Sequence, residues 1–311
     1  MKDDEWSVVR TLLANELVTC NLASFSSWRI GGVSASFHEA HNLLVLANLL
    51  KLWRGSVVPL GGLSNLLIND QGLDNSCLLV HFGRNFSRLR YLAKYNWIYA
   101  EAGVRLGTMV NFALRCKLTD AVFLAGIPGT VGGAVRMNAG AHGDELWRHL
   151  VAVKVMHRTG DCRWYTSKHF QFGYRQVDGL APDDLVVAAM LQFRMGDPQL
   201  ARRTMQQQLI KRRASQPLEF ANCGCVFRNP AGDYAARLIE QCGLKGYRCG
   251  GAEISTKHAN FIVNRDRATS GDILRLIRVI QRNVKERYKI DLQLEIKLLG
   301  LSLDDENNYE E

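Results

Sequence analysis

The chain has 311 residues, 47% of them hydrophobic and 22% charged, with a formal net charge of +9. That length supports a sizeable core and two domains, and the composition is that of a globular protein. No apolar run approaches the ~18–20 residues that cross a bilayer. The start, Met-Lys-Asp-Asp-Glu-Trp, is acidic and polar where a secretory signal is basic and then apolar, so the expected compartment is the cytoplasm.

In chain order, Trp6, Val9, Leu13 and Leu17 recur at helical spacing. Phe25 to Gly32 reads as a strand running into a glycine turn. Glu39 to Trp53 reads as a second amphipathic helix, closed at Arg54-Gly55. A short apolar strand from Val57 leads to Gly61-Gly62 and then to Ser64 and Asn65, small polar groups able to bond a ligand or the backbone. Strands are expected at Cys77–Phe82 and over Leu89–Glu101, and a helix over Leu106–Leu114. Val151–Met156 and Arg163–Tyr165 flank Thr159-Gly160-Asp161, a hairpin pattern. A strand over Leu185–Met195 completes this half.

Asp197-Pro198 opens a polar helix ending near Arg213, and a domain boundary is placed at about 196–200 on that change of composition. A helix over Asp233–Gln241 closed at Gly243, a strand over Ala259–Val263, and a long helix after Thr269-Ser270 follow. In the last segment Leu292, Leu294, Ile296 and Leu298 alternate with Gln293, Glu295 and Lys297. Glu295 therefore faces away from the local apolar side, toward solvent or a ligand cleft, solvent being the commoner case. The tail from Asp304 is acidic and is expected to be disordered.

One stretch stands out from this background. Leu124-Ala-Gly-Ile-Pro-Gly-Thr-Val-Gly-Gly-Ala-Val-Arg-Met-Asn-Ala-Gly-Ala141 carries five glycines and one formal charge, Arg136. Glycine at this density costs conformational entropy and calls for positive φ or close backbone approach. Two readings follow: a nest of main-chain N–H groups for phosphate oxygens, or a tight connection between packed strands. Two glycine-rich turns, at Gly61-Gly62 and here, suit a dinucleotide-like cofactor with two phosphates. A G-x-G-x-x-G after the first strand and a Walker A loop are both missing, which argues against a Rossmann domain and against nucleotide hydrolysis.

The positive charge invites nucleic acid or a small anion. Without an RNP-type or zinc-finger signature around Lys211-Arg212-Arg213 or along Arg265–Lys289, no nucleic-acid partner is expected. The eight cysteines lack paired C-x2-4-C spacing, so reduced thiols and no metal are expected.

Several stretches together resemble one family, the UDP-N-acetylenolpyruvoylglucosamine reductases of bacterial peptidoglycan synthesis. They are Arg29–Gly32, Pro59–Leu67, Leu124–Ala141, Phe172-Gly-Tyr-Arg175, Gly224-Cys-Val-Phe-Arg-Asn-Pro230, Arg237–Gly246, Lys257–Asn264 and Leu294–Lys297, in family order. The resemblance implies an α+β fold: an FAD-binding domain of the PCMH (vanillyl-alcohol-oxidase) type over 21–196 and a smaller α+β substrate domain over 197–301. A terminal helix over 1–20 and a tail over 302–311 flank them. The implied reaction reduces the enolpyruvyl ether of UDP-N-acetylglucosamine to UDP-N-acetylmuramate through FAD, with NADPH as co-substrate and a UDP-sugar as the partner molecule. The chain is expected to act as a monomer, off the membrane. The short connection between Arg175 and Gly224 resembles the subtype without an extra tyrosine-bearing loop.

By the same resemblance FAD is held by Gly61, Gly62, Ser64, Asn65, Leu66, Gly126, Pro128, Gly129, Thr130, Gly132, Gly133, Asn138 and Gly140. Substrate contacts fall on Tyr174, Arg212, Arg213 and Asn229, with Lys257, His258 and Asn260 as weaker candidates. The catalytic arginine, proton donor and glutamate fall on Arg175, Cys225 and Glu295. Two departures matter. The family's proton-donating serine is Cys225 here, and a thiol with an ordinary pKa near ~8.5 is a stronger acid than an alcohol. Leu63 replaces a third glycine, so positive φ there would strain the leucine; Tyr234 also stands where a small residue is common.

Overall fold

The computed structural model describes residues 15–303. All but the end of the helix expected over 6–18 lies outside the described residues, as does the tail from Asp304. Asn15 and Glu16 are helical, and a strand, Val18–Asn21, follows.

The described chain forms two compact units. One is built from residues 15–19, 35–62 and 75–210, the other from 20–34, 63–74 and 211–303. In the first, five strands pair in the order Cys162–Thr166, Leu150–Met156, Leu185–Gln192, Trp97–Glu101, Leu89–Leu92, every neighbour antiparallel. The hairpin read at Thr159-Gly160-Asp161 closes with Met156 opposite Cys162. Helices Leu106–Arg115 and Val131–Arg136 bury Met109, Val110, Val131 and Val135 in the same core as Ile98, Val153 and Leu191.

A parallel set stands beside it. Leu78–Phe82 is the central strand, flanked by Val57–Leu60 and by the end of Val33–Ala40. The helix between the two flanking strands runs Leu43–Leu52, four residues later than its apolar spacing suggests. Asn42 explains the start: its side chain accepts from Leu44 N and Val45 N, capping otherwise unsatisfied donors. Residues 39 and 40 belong to the preceding strand.

The second unit packs helices Ala235–Gln241 and Ser270–Tyr288 on three short strands, Arg248–Cys249, Ala252–Ile254 and Ile262–Asn264. The long helix begins as read from Thr269, with a full capping box to Asp272. Ile273, Ile277, Ile280 and Val284 are all buried. Its first turn also meets an acid from the N-terminal half of the chain: Asp70 Oδ2 accepts from Ser270 N and from Ser270 Oγ, the latter at 2.7 Å.

The segment expected as a strand over Phe25–Gly32 is a set of turns instead. Trp28 and Ile30 serve as plugs rather than as one strand face, while Phe25 is exposed. Trp28 is wholly buried and donates through Nε1 to Ile262 O at 2.8 Å, while Asn264 Nδ2 returns a bond to Trp28 O at 2.8 Å. Burying such a ring with its polar atom satisfied is worth about 3 kcal/mol or more.

His38 is buried and His81 and His258 are half-buried, and desolvation pushes all three below the ordinary histidine range. Held neutral in the folded chain, each takes up its proton first in the unfolded chain. At mildly acid pH the unfolded state therefore binds more protons, and stability present above about 6.5 is lost as pH falls through the lowered values. The thermal midpoint is expected to drop between pH 7.5 and 5.5, and His38→Gln to flatten that slope; a pH series of melting curves on both proteins checks it.

Candidate active site

The glycine stretch lies in the first unit and performs three different structural tasks. Its entry, Asp120–Leu124, is a short 3-10 helix that buries Phe123 and Leu124. Gly129 then takes φ 114°, a conformation closed to L side chains. The chain turns into the helix Val131–Arg136, whose first donors are already used: Val131 N bonds Val104 O and Gly132 N bonds Ala102 O. These two N–H groups therefore point into the protein, which narrows the backbone nest that glycine content alone suggests.

The other glycine turn meets this one backbone to backbone. A Cβ on Gly62 would lie 2.6 Å from Gly129 Cα, and one on Gly61 would lie 3.2 Å from Thr130 Oγ1 and 3.3 Å from Gly133 Cα. The two turns thus form one surface with no side chain between them, which is the shape a long phosphate-bearing group requires. Arg136, the only charge in the stretch, is spent within the protein, donating to Ala181 O and Asp184 O.

At the far end of the stretch stands a hairpin, Gln171–Gly173 paired with Gln176–Asp178, whose two-residue tip is Tyr174-Arg175. Arg175 sits at φ 56° and donates through Nη1 to Asn138 O at 3.4 Å and through Nη2 to Gly140 O at 3.1 Å. Its guanidinium also lies 5.4 Å from the centre of the exposed Tyr174 ring. Asn138 is nearly fully buried, and its side chain is bonded to Glu145, Gly173 O and Trp147 N. The amide is thus engaged by protein groups, a role with no signal in the sequence.

The remaining candidates belong to the second unit. Cys225 lies in a segment clamped on both sides. Val226 N bonds Asn260 O and Phe227 N bonds Asn260 Oδ1, while Asn260 Nδ2 returns to Phe227 O. On the other flank Arg228 N bonds Gln293 O and Glu295 N bonds Val226 O at 2.8 Å. That register sets Glu295 opposite Val226, the chain neighbour of Cys225. Only Lys297–Leu299 of the last segment is a regular strand, pairing parallel with Leu66–Ile68. Glu295 is 9% exposed, so the commoner expectation of a solvent-facing carboxylate does not hold. Asn65 Nδ2 donates to Glu295 O at 3.1 Å and Asn65 O accepts from Lys297 N, tying the 63–74 segment to the glutamate's backbone.

Arg212 is half-buried, with its Nε lacking a partner, and burial pulls its pKa down while the nearby Cys225 thiol opposes that. Arg213 is exposed. Asn229 caps the helix Ala235–Gln241 by accepting from Ala235 N at 3.1 Å, and with Arg228, Pro230 and Leu292 it lines a cavity of about 300 Å³. Lys257 pairs with Glu219 at 3.4 Å, and His258 packs edge-on to Phe261. Burial pushes the Cys223 thiol up to about 12, whereas Cys225 is only partly buried.

Leu63 holds φ 46°, so the loop keeps the conformation expected of the glycine it replaces. The left-handed backbone costs a leucine about 1–2 kcal/mol. The side chain is 3% exposed, and burial of that order returns about 1.5–3 kcal/mol, which offsets the strain.

Comparison with known proteins bears directly on these features. A family profile described as UDP-N-acetylenolpyruvoylglucosamine reductase, C-terminal domain, matches residues 216–299, and one described as FAD binding domain matches 40–166. The chain is 40% identical over 299 residues to the UDP-N-acetylenolpyruvoylglucosamine reductase of Legionella pneumophila (strain Paris), covering 93% of this chain and 94% of that one. To the enzyme of the same name from Coxiella burnetii it is 39% identical over 304 residues, covering 90% and 94%. The crystal structure of UDP-N-acetylenolpyruvylglucosamine reductase from Thermus caldophilus matches with a TM-score of 0.79 at 32% identity, over 91% of this chain and 98% of that one. The chain belongs to the UDP-N-acetylenolpyruvoylglucosamine reductase family.

The expected α+β fold, an FAD-binding domain followed by a second domain, stands with that membership. Both glycine turns fall inside the FAD-binding match, and the side-chain-free surface they make fits that cofactor. Gly62→Ala tests the fit, because its new Cβ meets backbone that has nowhere to go. The variant is expected to retain several-fold less FAD per chain, read as the ratio of flavin to protein absorbance. Gly107→Ala is the control: it lies on an exposed helix position where an added Cβ meets nothing within 4 Å. It should keep its flavin and gain about 0.5–1 kcal/mol of stability in urea denaturation.

Proposed function

We propose that this chain reduces UDP-N-acetylglucosamine enolpyruvate to UDP-N-acetylmuramate in peptidoglycan precursor synthesis, with NADPH as the reductant of its FAD. The observation that carries the reading is the register that lays the Glu295 segment against the Cys225 segment, Glu295 opposite Val226, within the stretch matched by the family's C-terminal domain. Residues 21–196 act as the FAD-binding domain and 197–301 as the substrate domain of a monomer, the subtype without the tyrosine-bearing loop. Nucleic acid has no part in this reading. No helix among the described residues is long and apolar enough to cross a membrane, and the cytoplasm, where nucleotide sugars and NADPH meet, is the compartment we assign.

An enol ether accepts hydride poorly, so its carboxylate must be activated. FAD, held by the surface that Gly61, Gly62, Gly129 and Gly133 form, would supply the hydride for one carbon of the double bond. Arg175, always charged and held by the carbonyls of Asn138 and Gly140, grips the carboxylate and stabilises the enolate-like charge that develops there. Glu295 acts beside it as the partner acid. The Cys225 thiol gives its proton to the other carbon, and its thiolate recovers a proton from solvent. Arg212 nearby favours the thiolate of Cys225, with opposite consequences for the step: it stabilises what is left after transfer, and it also favours losing the proton too early. Tyr174, Arg213 and Asn229 are assigned to the diphosphate and sugar.

The decisive measurement is a flavin titration. Purified protein is expected to be yellow, to bleach with NADPH and to recolour on addition of the enolpyruvyl UDP-sugar. A colourless protein that FAD does not reconstitute overturns the proposal, as does bleached flavin that this sugar leaves colourless.

Cys225 is tested separately. Cys225→Ser is expected to turn over and to resist iodoacetamide, while Cys225→Ala slows recolouring by about 10²-fold or more. Alkylation mapped to Cys225 by mass spectrometry should abolish recolouring, whereas Cys223, kept protonated by burial, should remain unmodified. Normal turnover of protein alkylated at Cys225 would remove the residue from the mechanism.

A further inference from the structure

Asn138 is placed to do more than end the glycine stretch. It holds φ 42°, a left-handed conformation that asparagine tolerates better than most residues, and it is 1% exposed. Its side-chain amide donates to Gly173 O at 2.9 Å and to Glu145 Oε2 at 2.9 Å, and its carbonyl accepts from Trp147 N at 3.2 Å. Gly173 is the residue immediately before the Tyr174-Arg175 tip. The contact is reciprocated, because the Arg175 guanidinium donates to Asn138 O and to Gly140 O. One residue therefore holds the hairpin by its side chain and receives the hairpin's arginine on its main chain.

The hairpin needs such a hold. Each of its strands has three residues, and Gln171, Phe172, Tyr174, Gln176 and Asp178 are exposed. A two-stranded hairpin of this size has little stability of its own in water. Its other supports are Val177, packed against the core, and Phe172 stacked on the buried Trp147, 5.8 Å between ring centres, and Trp147 N is itself bonded to Asn138. Asparagine is also the residue the contacts demand. Both partners of Nδ2 are acceptors, so an aspartate would set a second carboxylate against Glu145 and an acceptor against Gly173 O. A buried group left unpaired in this way is costly.

We infer that Asn138 is a positioning residue for Arg175: it fixes the hairpin tip so that the guanidinium meets the substrate carboxylate already oriented. The inference rests on the role proposed for Arg175 above. It moves Asn138 from direct contact with the cofactor to control of the hydride-accepting step.

The test uses the full chain loaded with FAD, carrying Asn138→Ser or Asn138→Asp, and follows the two half-reactions separately by stopped flow. Bleaching of the flavin by NADPH is expected to stay near the wild-type rate. Recolouring by the enolpyruvyl UDP-sugar should slow by up to about 10²-fold, the effect of misplacing a catalytic group by an ångström. Adding Asn138→Ser to Arg175→Lys should slow recolouring little beyond Arg175→Lys alone, since both act on one arrangement. Hydrogen exchange at residues 171–178 should quicken while the strands Leu150–Met156 and Leu185–Gln192 keep their protection. Loss of FAD with both half-reactions slowed equally overturns the inference, as does unchanged exchange at 171–178 or full additivity in the double variant. If wild-type flavin is not recoloured by this sugar, the proposed function falls instead, and the exchange measurement alone then decides whether Asn138 tethers the hairpin.

Discussion

The contact on which the proposed cofactor surface depends is between two stretches of main chain, at Gly62 and Gly129. Neither turn can carry a side chain there, and the absence of one lets the strand end at Leu60 and the helix start at Val131 share a wall. From that wall the chain runs through a short helix to Asn138, and the hairpin whose Arg175 lies 37 residues further on folds back onto it. The proposed surface for the cofactor and the carbonyls that hold the arginine thus belong to one stretch, the glycine-rich segment. Its only charge is directed inward, onto the carbonyls of Ala181 and Asp184. The stretch presents backbone outward and keeps its cation for cohesion.

The second unit solves a different problem, that of holding the segment of an acid beside the segment of a thiol without regular structure. Cys225 has no helix or strand under it. Asn260 clamps its segment on one side and the chain around Glu295 clamps it on the other. Backbone hydrogen bonds to both flanks immobilise a loop as well as a sheet would, and they leave the cysteine side chain out of the ladder. Arg212 adds a partly desolvated positive charge near the thiol, where water screens it less than in bulk. Replacing an alcohol by a thiol in such a field changes the acid available more than it changes the shape.

Much of this was legible from residue order alone, and the failures have physical causes. Elements with a strong period or a cap were found, such as the helix after Thr269 and the hairpin at Gly160. Phe25–Gly32 misled because apolar residues that plug a core from a turn have the composition of a strand without its pairing. The helix at Leu43 was started too early because alternation along Val33–Ala40 runs into it without a break, and only the Asn42 cap marks the change. At the proposed site, the family resemblance is what assigns Arg175, Cys225 and Glu295. Alternation wrongly favoured solvent for Glu295, since a side chain off the local apolar face can still be covered by another part of the chain. The amide network of Asn138 was invisible because its partners are two backbone groups and an acid brought in by the fold.

One feature bears on how the molecule comes into being. Trp28 is buried in the unit that also contains Ile262 and Asn264, and Asp70 serves the first turn of the helix at Ser270. On the ribosome, residues 20–34 and 63–74 emerge early and must wait, with an indole ring and an acid uncovered, until the last third of the chain has been made. Domains completed in order of synthesis bury their surfaces promptly; this unit cannot. Its assembly is therefore post-translational, and a nascent chain stalled before residue 262 exposes a tryptophan for which chaperones and proteases compete.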